Sequence, residues 1–325
     1  MSAALPVGRT VPKPLLAVDD VLAAATRIRP YVDETPTTYS PFRRCWLKLE
    51  SLQVTGAYKV RGALNALIKQ VERGDRRAVV AASAGNHGAA VAWAANRLGL
   101  EALIAVPTNA PTTKTDRIER LGATVVHHGA HFGESLEWAL EASHKRHARF
   151  LHAFDDLDVM AGQGTVALEL IHKRPDVVVL PIGGGGLASG CSTVLKAAGI
   201  RVFGVQVEGV DAMRSILNGG PSSIVPADTL ADGLRVSEAG HFSRQICAEN
   251  LEDVVTVSES HMRHTMASLA LHEGIVVEGA GAVAVAALDQ VPGSRRIALV
   301  SGGNVDSRVM IDVLAEYQSR MKVAS

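Results

Sequence analysis

The sequence predicts an α/β protein with two parallel sheets, in which a smaller unit is inserted into a larger one. Two observations support this fold. From residue 77 onward, short apolar runs alternate with amphipathic stretches of helical length, which is the pattern of βαβ units. The alternation forms one series over residues 75–149 and a second over 150–325, which residues 1–74 are expected to join. Because open α/β sheets bind ligands beyond the carboxyl ends of their strands, we expect the functional site in the cleft between the two units.

The elements of the N-terminal part follow from local patterns. The proline-rich residues 1–18 are expected to lie over the surface. Asp19 or Asp20 is expected to cap a helix that ends near Arg29. Residues 31–44 contain two prolines and several threonines and are expected to be irregular. The other elements predicted up to residue 149 are, in order, a strand at 45–50, a helix from 63, a strand at 78–82, a helix at 88–98, a strand at 103–106, a helix at 113–121, a strand at 124–127 and a helix at 132–147.

The second series shows the same alternation, interrupted by a stretch rich in glycine and proline at 218–242 that is expected to be a loop. Apolar runs rich in valine and isoleucine predict its strands, and periodic apolar positions predict its helices. In order, these elements are a helix at 159–172, a strand at 177–180, a helix at 187–198, a strand at 202–207, a strand at 254–257, helices at 259–272 and 280–288, a strand at 297–300 and a final helix from 306.

Composition excludes several classes of function. Of the 325 residues, 33 are basic and 33 acidic, which argues against nucleic acid or an anionic membrane as the partner. Three widely spaced cysteines, Cys45, Cys191 and Cys247, form neither a zinc pattern nor a disulfide framework. No signal peptide and no apolar run of about 18 residues are found. We therefore expect a cytoplasmic protein without a membrane span.

Lys59 lies in the run Gly56-Ala57-Tyr58-Lys59-Val60-Arg61-Gly62, between the predicted strand at 45–50 and a helix. The glycines at both ends of this run let the backbone bend where the strand gives way to the helix. Taken alone, such a lysine is ordinarily a surface or capping residue. Three further glycine-containing turns, each after a predicted strand, argue for a different role.

The glycine-rich run Pro181-Ile182-Gly183-Gly184-Gly185-Gly186-Leu187 is the clearest of these turns. Its backbone N–H groups are unobstructed by side chains and precede a helix, an arrangement that binds phosphate. A tight structural turn is the alternative. The turn also matches a dinucleotide fingerprint through Gly183, Gly185 and Ala188, with Glu208 placed to bind a ribose. From this turn alone, a nicotinamide or flavin enzyme is an open alternative.

The run Ala82-Ser83-Ala84-Gly85-Asn86-His87-Gly88 also lies between a strand and a helix. Its amides could hold a carboxylate at the helix start, and Asn86 could donate to a cofactor oxygen. The alternatives are that Ser83 or Asn86 caps the helix and that His87 is structural.

Ser301 follows a predicted strand and precedes two glycines, which places a hydroxyl at the cleft, although the turn taken alone favours a turn cap. Glu278, in the similar run Glu278-Gly279-Ala280-Gly281, could be a helix-start acid and nothing more.

In combination these turns resemble the fold-type II pyridoxal-phosphate enzymes, and among them the threonine/serine dehydratase and serine racemase family. The matching segments span residues 36–305 in the family's order and spacing. They are Thr55 to Ala63, Ser83 to Gly88, Gly183 to Leu187, Glu278 to Gly281 and Ser301 to Asn304. The resemblance implies pyridoxal 5'-phosphate as cofactor and a small-molecule amino-acid substrate, and it allows a homo-oligomer. It disfavours a dinucleotide, which would leave Lys59 and Ser301 without a role.

The resemblance also implies roles for individual residues. Lys59 would form the internal Schiff base with the cofactor, and Ser301 would hydrogen-bond its pyridine nitrogen. Asn86 would contact its phenolic oxygen, and the turn from Gly183 through Gly184, Gly185 and Gly186 to Leu187 would bind its phosphate. The residues implied to surround the substrate are Tyr58, Ser83, Ala84, Gly85, Asn86 and His87.

Departures from the family pattern indicate which of the family's activities are favoured. Ala84 replaces the serine that racemases use as a proton donor, which favours elimination. Val60 replaces the aspartate of the cysteine-synthase branch, and Arg214 stands where a metal-binding aspartate would pair with Glu208, so no metal is expected.

The resemblance therefore implies a dehydratase that converts a 3-hydroxy L-amino acid of the threonine/serine type to a 2-keto acid and ammonia. Ala57 and Tyr58 replace the usual serine and phenylalanine, so a bulkier substrate such as 3-phenylserine stays an open hypothesis. Two further hypotheses stay open as well: an amino-acid racemase and, from another class of enzyme, a nicotinamide-dependent oxidoreductase.

Overall fold

The computed structural model describes residues 14–324, with side chains for residues 14–321; residues 1–13, expected to lie over the surface, are outside the described residues. Its helices are α1 (Val18–Ile28), α2 (Lys59–Glu72), α3 (Asn86–Leu98), α4 (Thr112–Arg120), α5 (Phe132–Lys145), α6 (Leu157–Leu168), α7 (Gly186–Ala197), α8 (Ala212–Leu217), α9 (His241–Asn250), α10 (Glu259–Glu273), α11 (Gly279–Ala286) and α12 (Ser307–Ala324). Its strands are β1 (Thr37–Ser40), β2 (Cys45–Leu49), β3 (Val79–Ala82), β4 (Ala102–Val106), β5 (Thr124–His127), β6 (Arg149–Phe150), β7 (Val177–Pro181), β8 (Arg201–Val207), β9 (Asp253–Val257) and β10 (Arg296–Val300).

Two sheets organise these elements. The six-stranded sheet has the order β1-β2-β10-β7-β8-β9, and all its pairs are parallel except β1 with β2. The four-stranded sheet has the order β5-β4-β3-β6 and is parallel throughout. The predicted α/β fold with two parallel sheets is confirmed. The strands of the smaller sheet span residues 79–150, and the proposed unit boundaries at 75 and 149 remain a prediction.

Helix α2 lies where the two sheet systems meet. It packs against α3, which follows a strand of the small sheet, and against α6, which precedes a strand of the large one. Val60, Ala63, Leu64 and Leu67 on this helix are fully or almost fully buried, and they belong to a core cluster rich in alanine and valine. Small side chains let the helices approach each other and the sheet closely. The first residue of α2, Lys59, is therefore held at the junction.

Some local expectations were wrong. Residues 31–44 are not all irregular, because Thr37–Ser40 forms an antiparallel edge strand beside β2, and an edge strand with exposed side chains lacks an apolar pattern. Asp19 and Asp20 do not precede the first helix but lie in its first turn, where the Asp20 carboxylate accepts a hydrogen bond from the N–H of Ala17.

The stretch at 218–242, which is rich in glycine and proline and was expected to be a loop, also contains more structure than expected. Helix α8 lies immediately before it, a short 3-10 turn occupies Asp232–Leu234, and α9 begins at His241 inside the expected loop. The Asp155 carboxylate accepts hydrogen bonds from the first N–H groups of α9, so a distant residue caps this helix. Strand β6, only two residues long, was missed as well. None of the helices in the described part of the chain is both long and apolar enough to cross a membrane.

Candidate active site

The turn before α2 is joined to the turn after β10 by backbone contacts. The N–H of Tyr58 donates to the carbonyl of Ser301 at 3.1 Å, and the N–H of Gly303 donates to the carbonyl of Gly56 at 2.9 Å. Gly56 adopts a left-handed conformation with φ +66°, which glycine adopts without steric cost. The structure therefore brings Lys59 and Ser301, 242 residues apart in sequence, to one place.

A buried ion network fixes the first turn of α2. The guanidinium group of Arg61 donates two hydrogen bonds of 2.8 Å to Glu50 and two, of 2.6 and 3.2 Å, to Glu169. Arg61 and Glu50 are almost completely inaccessible to solvent. Breaking such a buried pair by removing one partner is costly, since the other charge is left unpaired. The network holds Lys59, two residues before Arg61, in a fixed position.

The amine of Lys59 is partly buried, and its Nζ donates a hydrogen bond to the carbonyl of Ala153 at 3.0 Å. Burial lowers the pKa of this amine to about 8, an effect that the negative charge of Glu278 partly opposes. A lysine with a lowered pKa is a competent nucleophile and base near neutral pH.

The glycine turn follows β7 and opens α7, as expected. A Cβ on Gly184 would overlap the ring of Phe154, and a Cβ on Gly186 would lie 2.7 Å from the Phe154 carbonyl oxygen. Gly185 has φ +101°. The turn thus forms a cradle of backbone amides at the N-terminus of a 12-residue helix, an arrangement that can bind phosphate, and it leaves no space for a side chain at Gly184 or Gly186. Leu187 is buried on α7 behind it.

Ser83, Ala84, Gly85 and Asn86 are partly exposed in the turn between β3 and α3. The Ser83 hydroxyl accepts a hydrogen bond from the N–H of Gly85 at 3.1 Å. Asn86 does not cap α3; its side chain donates to Glu278 at 2.6 Å and accepts from Asn304 at 2.7 Å. The amide of Asn86 is therefore held in one orientation by residues from the other end of the chain.

His87 is buried at the start of α3. Its Nε2 lies 3.0 Å from the carbonyl oxygen of Leu151, and burial lowers its pKa to about 3. The imidazole is neutral at physiological pH, so Nε2 donates to that carbonyl. This contact supports a structural role for the His87 side chain, while its backbone remains part of the turn.

Ser301 is buried at the end of β10, and its hydroxyl donates to the carbonyl of Ala280 at 3.1 Å. The ring of Tyr58 lies 5.3 Å from Nζ of Lys59 and packs against the cluster that contains Leu187 and Cys191. Burial raises the pKa of the Tyr58 hydroxyl, which stays protonated. The roles predicted for Ser301 with the cofactor and for Tyr58 with the substrate remain predictions.

Sequence reasoning left the role of Glu278 open. Its carboxylate is hydrogen-bonded to Asn86, and burial raises its pKa to about 7. A titratable group with so perturbed a pKa beside a cleft is typical of functional sites. The only sequence feature that could have indicated a functional role for Glu278 was its place in the run Glu278 to Gly281.

The segment Leu151–Asp155 was missed entirely. It follows β6 and supplies the carbonyl that binds Lys59, the carbonyl that faces His87 and the ring that packs on Gly184. It is irregular in structure and has no periodic pattern, so nothing in its sequence indicates these contacts. Within the described residues, no group of three or more histidine, cysteine, aspartate or glutamate side chains is placed to hold a metal ion.

A reactive amine beside a phosphate cradle is what an enzyme needs to hold a phosphorylated aldehyde cofactor covalently. Comparison with known sequences agrees. A sequence model of the family described as pyridoxal-phosphate dependent enzymes matches residues 28–303. The L-threonine ammonia-lyase of Thermotoga maritima is 39% identical over 313 residues, which cover 92% of this chain and 78% of the relative. The catabolic L-threonine dehydratase of Escherichia coli K12 is 37% identical over 312 residues, covering 90% and 95%.

Comparison with solved structures gives the same family. A pyridoxal 5'-phosphate-dependent aspartate racemase superposes with a TM-score of 0.86 at 31% identity, and the match covers 92% of this chain and 98% of that one. The protein belongs to the family of pyridoxal-phosphate-dependent enzymes, and pyridoxal 5'-phosphate is its cofactor. The glycine cradle and the reactive amine fit this cofactor. The family assignment leaves the nicotinamide hypothesis, based on Gly183, Gly185, Ala188 and Glu208, without support.

Proposed function

We propose that the protein is a dehydratase that converts a 3-hydroxy L-amino acid of the threonine/serine type to a 2-keto acid and ammonia by α,β-elimination. The observation that supports it most directly is the position of the Lys59 amine: it donates to the carbonyl of Ala153, next to Phe154, whose ring packs on the glycine turn. Relatives at 37–39% identity are a threonine ammonia-lyase and a threonine dehydratase.

Different residues have different roles in this reaction. Bound pyridoxal phosphate supplies the electron withdrawal that makes the Cα proton of the substrate acidic. The turn at residues 83–87 would bind the substrate carboxylate with its amides, and the neutral Ser301 hydroxyl would hydrogen-bond the ring nitrogen of the cofactor. The Lys59 amine would accept the Cα proton, since its lowered pKa leaves a substantial fraction of the amine unprotonated near pH 8.

Racemisation is the second candidate, because the chain also resembles an aspartate racemase closely in structure. Racemisation requires a proton donor on the face of the substrate opposite the lysine. Ala84 offers no proton where the family's racemases carry a serine, which favours elimination. Chiral analysis of the serine recovered from a reaction distinguishes the two activities.

Two residues beside Lys59 bear on the size of the substrate. Ala57 is buried and Tyr58 is partly buried beside Lys59, and both differ from the serine and phenylalanine of the family. A hydrophobic pocket discriminates by only a few kcal/mol per group, so 3-phenylserine belongs among the substrates to test. Incubation with L-serine, L-threonine, 3-hydroxyaspartate and 3-phenylserine, followed by measurement of keto acid, ranks them. Absence of keto acid from all four would refute the proposed function.

Replacing Lys59 by alanine tests the site. We expect loss of the visible cofactor absorbance and a fall in kcat of at least ~10²–10⁴-fold, since the general base is removed. Lys69→Ala is the matched control: this lysine lies on the same helix and pairs with Asp158 away from the turn. A Lys59→Ala variant that keeps both absorbance and turnover would show that Lys59 is not the anchor.

A cytoplasmic location and a homo-oligomeric state remain proposals. All three cysteines are buried free thiols in the structure, which is compatible with a reducing compartment.

A further inference from the structure

We propose that the backbone carbonyl of Ala153 holds the Lys59 amine whenever that amine is not bonded to the cofactor, and that His152 is the positioning residue for this carbonyl. The inference rests on the proposed function, in which the released lysine acts as the base. Its starting point is the hydrogen bond of 3.0 Å from Nζ of Lys59 to the Ala153 carbonyl oxygen.

A carbonyl is a suitable partner for a catalytic amine. A neutral amine that donates one N–H to a fixed acceptor keeps its lone pair free and pointed in a defined direction. A carbonyl adds no negative charge, whereas a carboxylate at the same place would favour the protonated amine more strongly. The Ala153 carbonyl therefore orients the base without greatly reducing the unprotonated fraction.

Contacts on both sides of Ala153 keep its carbonyl in place. On one side, Leu151 donates its N–H to the carbonyl of Val80 at 2.9 Å and faces His87 with its own carbonyl. On the other side, the Asp155 carboxylate accepts hydrogen bonds of 2.8, 2.9 and 3.3 Å from the first N–H groups of α9. The Phe154 ring packs on the glycine cradle. The same segment thus contacts the glycine turn at residues 183–187, the turn at residues 83–87 and Lys59.

His152 closes the turn that presents this carbonyl. Its Nδ1 accepts hydrogen bonds from the backbone N–H of Phe154 at 3.3 Å and of Asp155 at 2.9 Å. Because a backbone N–H can only donate, Nδ1 must be the unprotonated nitrogen of the ring. Burial lowers the pKa of His152, which keeps the imidazole neutral. The ring also packs edge-on against Phe154 and Phe150.

Two variants of His152, nearly equal in size, distinguish the role of the Nδ1 hydrogen-bond acceptor from the role of the imidazole ring. His152→Asn places an amide oxygen close to the position of Nδ1, whereas His152→Leu places a methyl group there; both remove the ring. Phe150→Leu is the control for lost ring packing, since it perturbs the imidazole without removing the acceptor. Turnover is measured with whichever of L-serine and L-threonine the wild-type holoenzyme converts, and hydrogen exchange is measured on the peptide that contains residues 150–156.

We expect His152→Leu to lower kcat by about 10–100-fold with little change in KM, since displacement of a catalytic group by about 1 Å is enough for such a loss. We expect the N–H groups of Phe154 and Asp155 to exchange faster in this variant. His152→Asn and Phe150→Leu should stay within about threefold of the wild-type kcat, with slow exchange retained. Visible absorbance should show bound cofactor in every variant.

Three results would overturn the proposal: equal kcat in the Asn and Leu variants, a loss in Phe150→Leu as large as in His152→Leu, or unchanged exchange in His152→Leu. If the Leu variant does not fold, His152→Gln, whose amide oxygen lies one bond further from the backbone, takes its place with the same expectations. Failure of the proposed function is recognised separately, because the wild-type enzyme would then form no keto acid, while the exchange measurement would still test the His152 turn.

Discussion

The turn at Gly183–Gly186 and the turn at residues 83–87 both connect a parallel strand to a helix, but they are built in opposite ways. The first depends on the absence of side chains, since Gly184 and Gly186 lie directly against Phe154. The second depends on side chains, because Asn86 is oriented by Glu278 and Asn304. The comparison indicates that one added carbon disrupts the first turn, whereas the second is disrupted by losing a hydrogen-bonding partner.

Gly184→Ala should have the largest effect in this comparison. Its Cβ would overlap the Phe154 ring, so the cradle must widen, and overpacking of this kind costs about 1–3 kcal/mol. We expect the affinity for pyridoxal phosphate, measured by titration of the visible absorbance, to fall about 10–100-fold. Gly85→Ala is the control, since the nearest atom to its Cβ is Oγ of Ser83 at 3.9 Å. Equal affinities in the two variants would contradict the contrast between the turns.

Asn86→Ala should show the converse behaviour. The phosphate cradle is untouched, so cofactor affinity should fall less than in Gly184→Ala, while the Glu278 carboxylate loses its hydrogen-bond donor. Hydrogen bonds to charged groups contribute about 1.5–3 kcal/mol, and we expect kcat/KM to fall about 10–100-fold. Asn96→Ala, an exposed position near the other end of the same helix, should leave kcat/KM unchanged. A loss confined to cofactor affinity would show that Asn86 does not serve the substrate side of the site.

The difference between these two turns also explains which parts of the site could be predicted from the sequence. The glycine turn and Lys59 were found because strand, turn and helix are neighbours in sequence, and glycine's special conformations limit the alternatives. The partner of Asn86 is 192 residues away, and no local pattern encodes such a pairing. The segment Leu151–Asp155 was missed for a related reason: its function lies in backbone groups, which every sequence possesses, and only the fold directs them toward Lys59.

Glu278→Gln should have the smallest effect, and it tests whether the second turn is sensitive to pH. Burial raises the pKa of the Glu278 carboxyl from 4.5 to about 7. Between these values the folded protein retains a proton that the unfolded chain has released. The free energy of unfolding contributed by this group therefore falls as pH rises through that window. Glutamine cannot ionise, but its amide oxygen can still accept the hydrogen bond from Asn86.

The Tm of Glu278→Gln relative to wild type should accordingly rise by a few degrees between pH 5 and pH 8. Glu238→Gln, which removes an exposed carboxylate, should show no comparable trend. If the Tm difference between Glu278→Gln and wild type were constant over this range, the carboxyl would not change its ionisation there. The hydrogen bond that orients Asn86 would then be independent of pH in this range. The two turns would still differ in that one excludes side chains and the other depends on them.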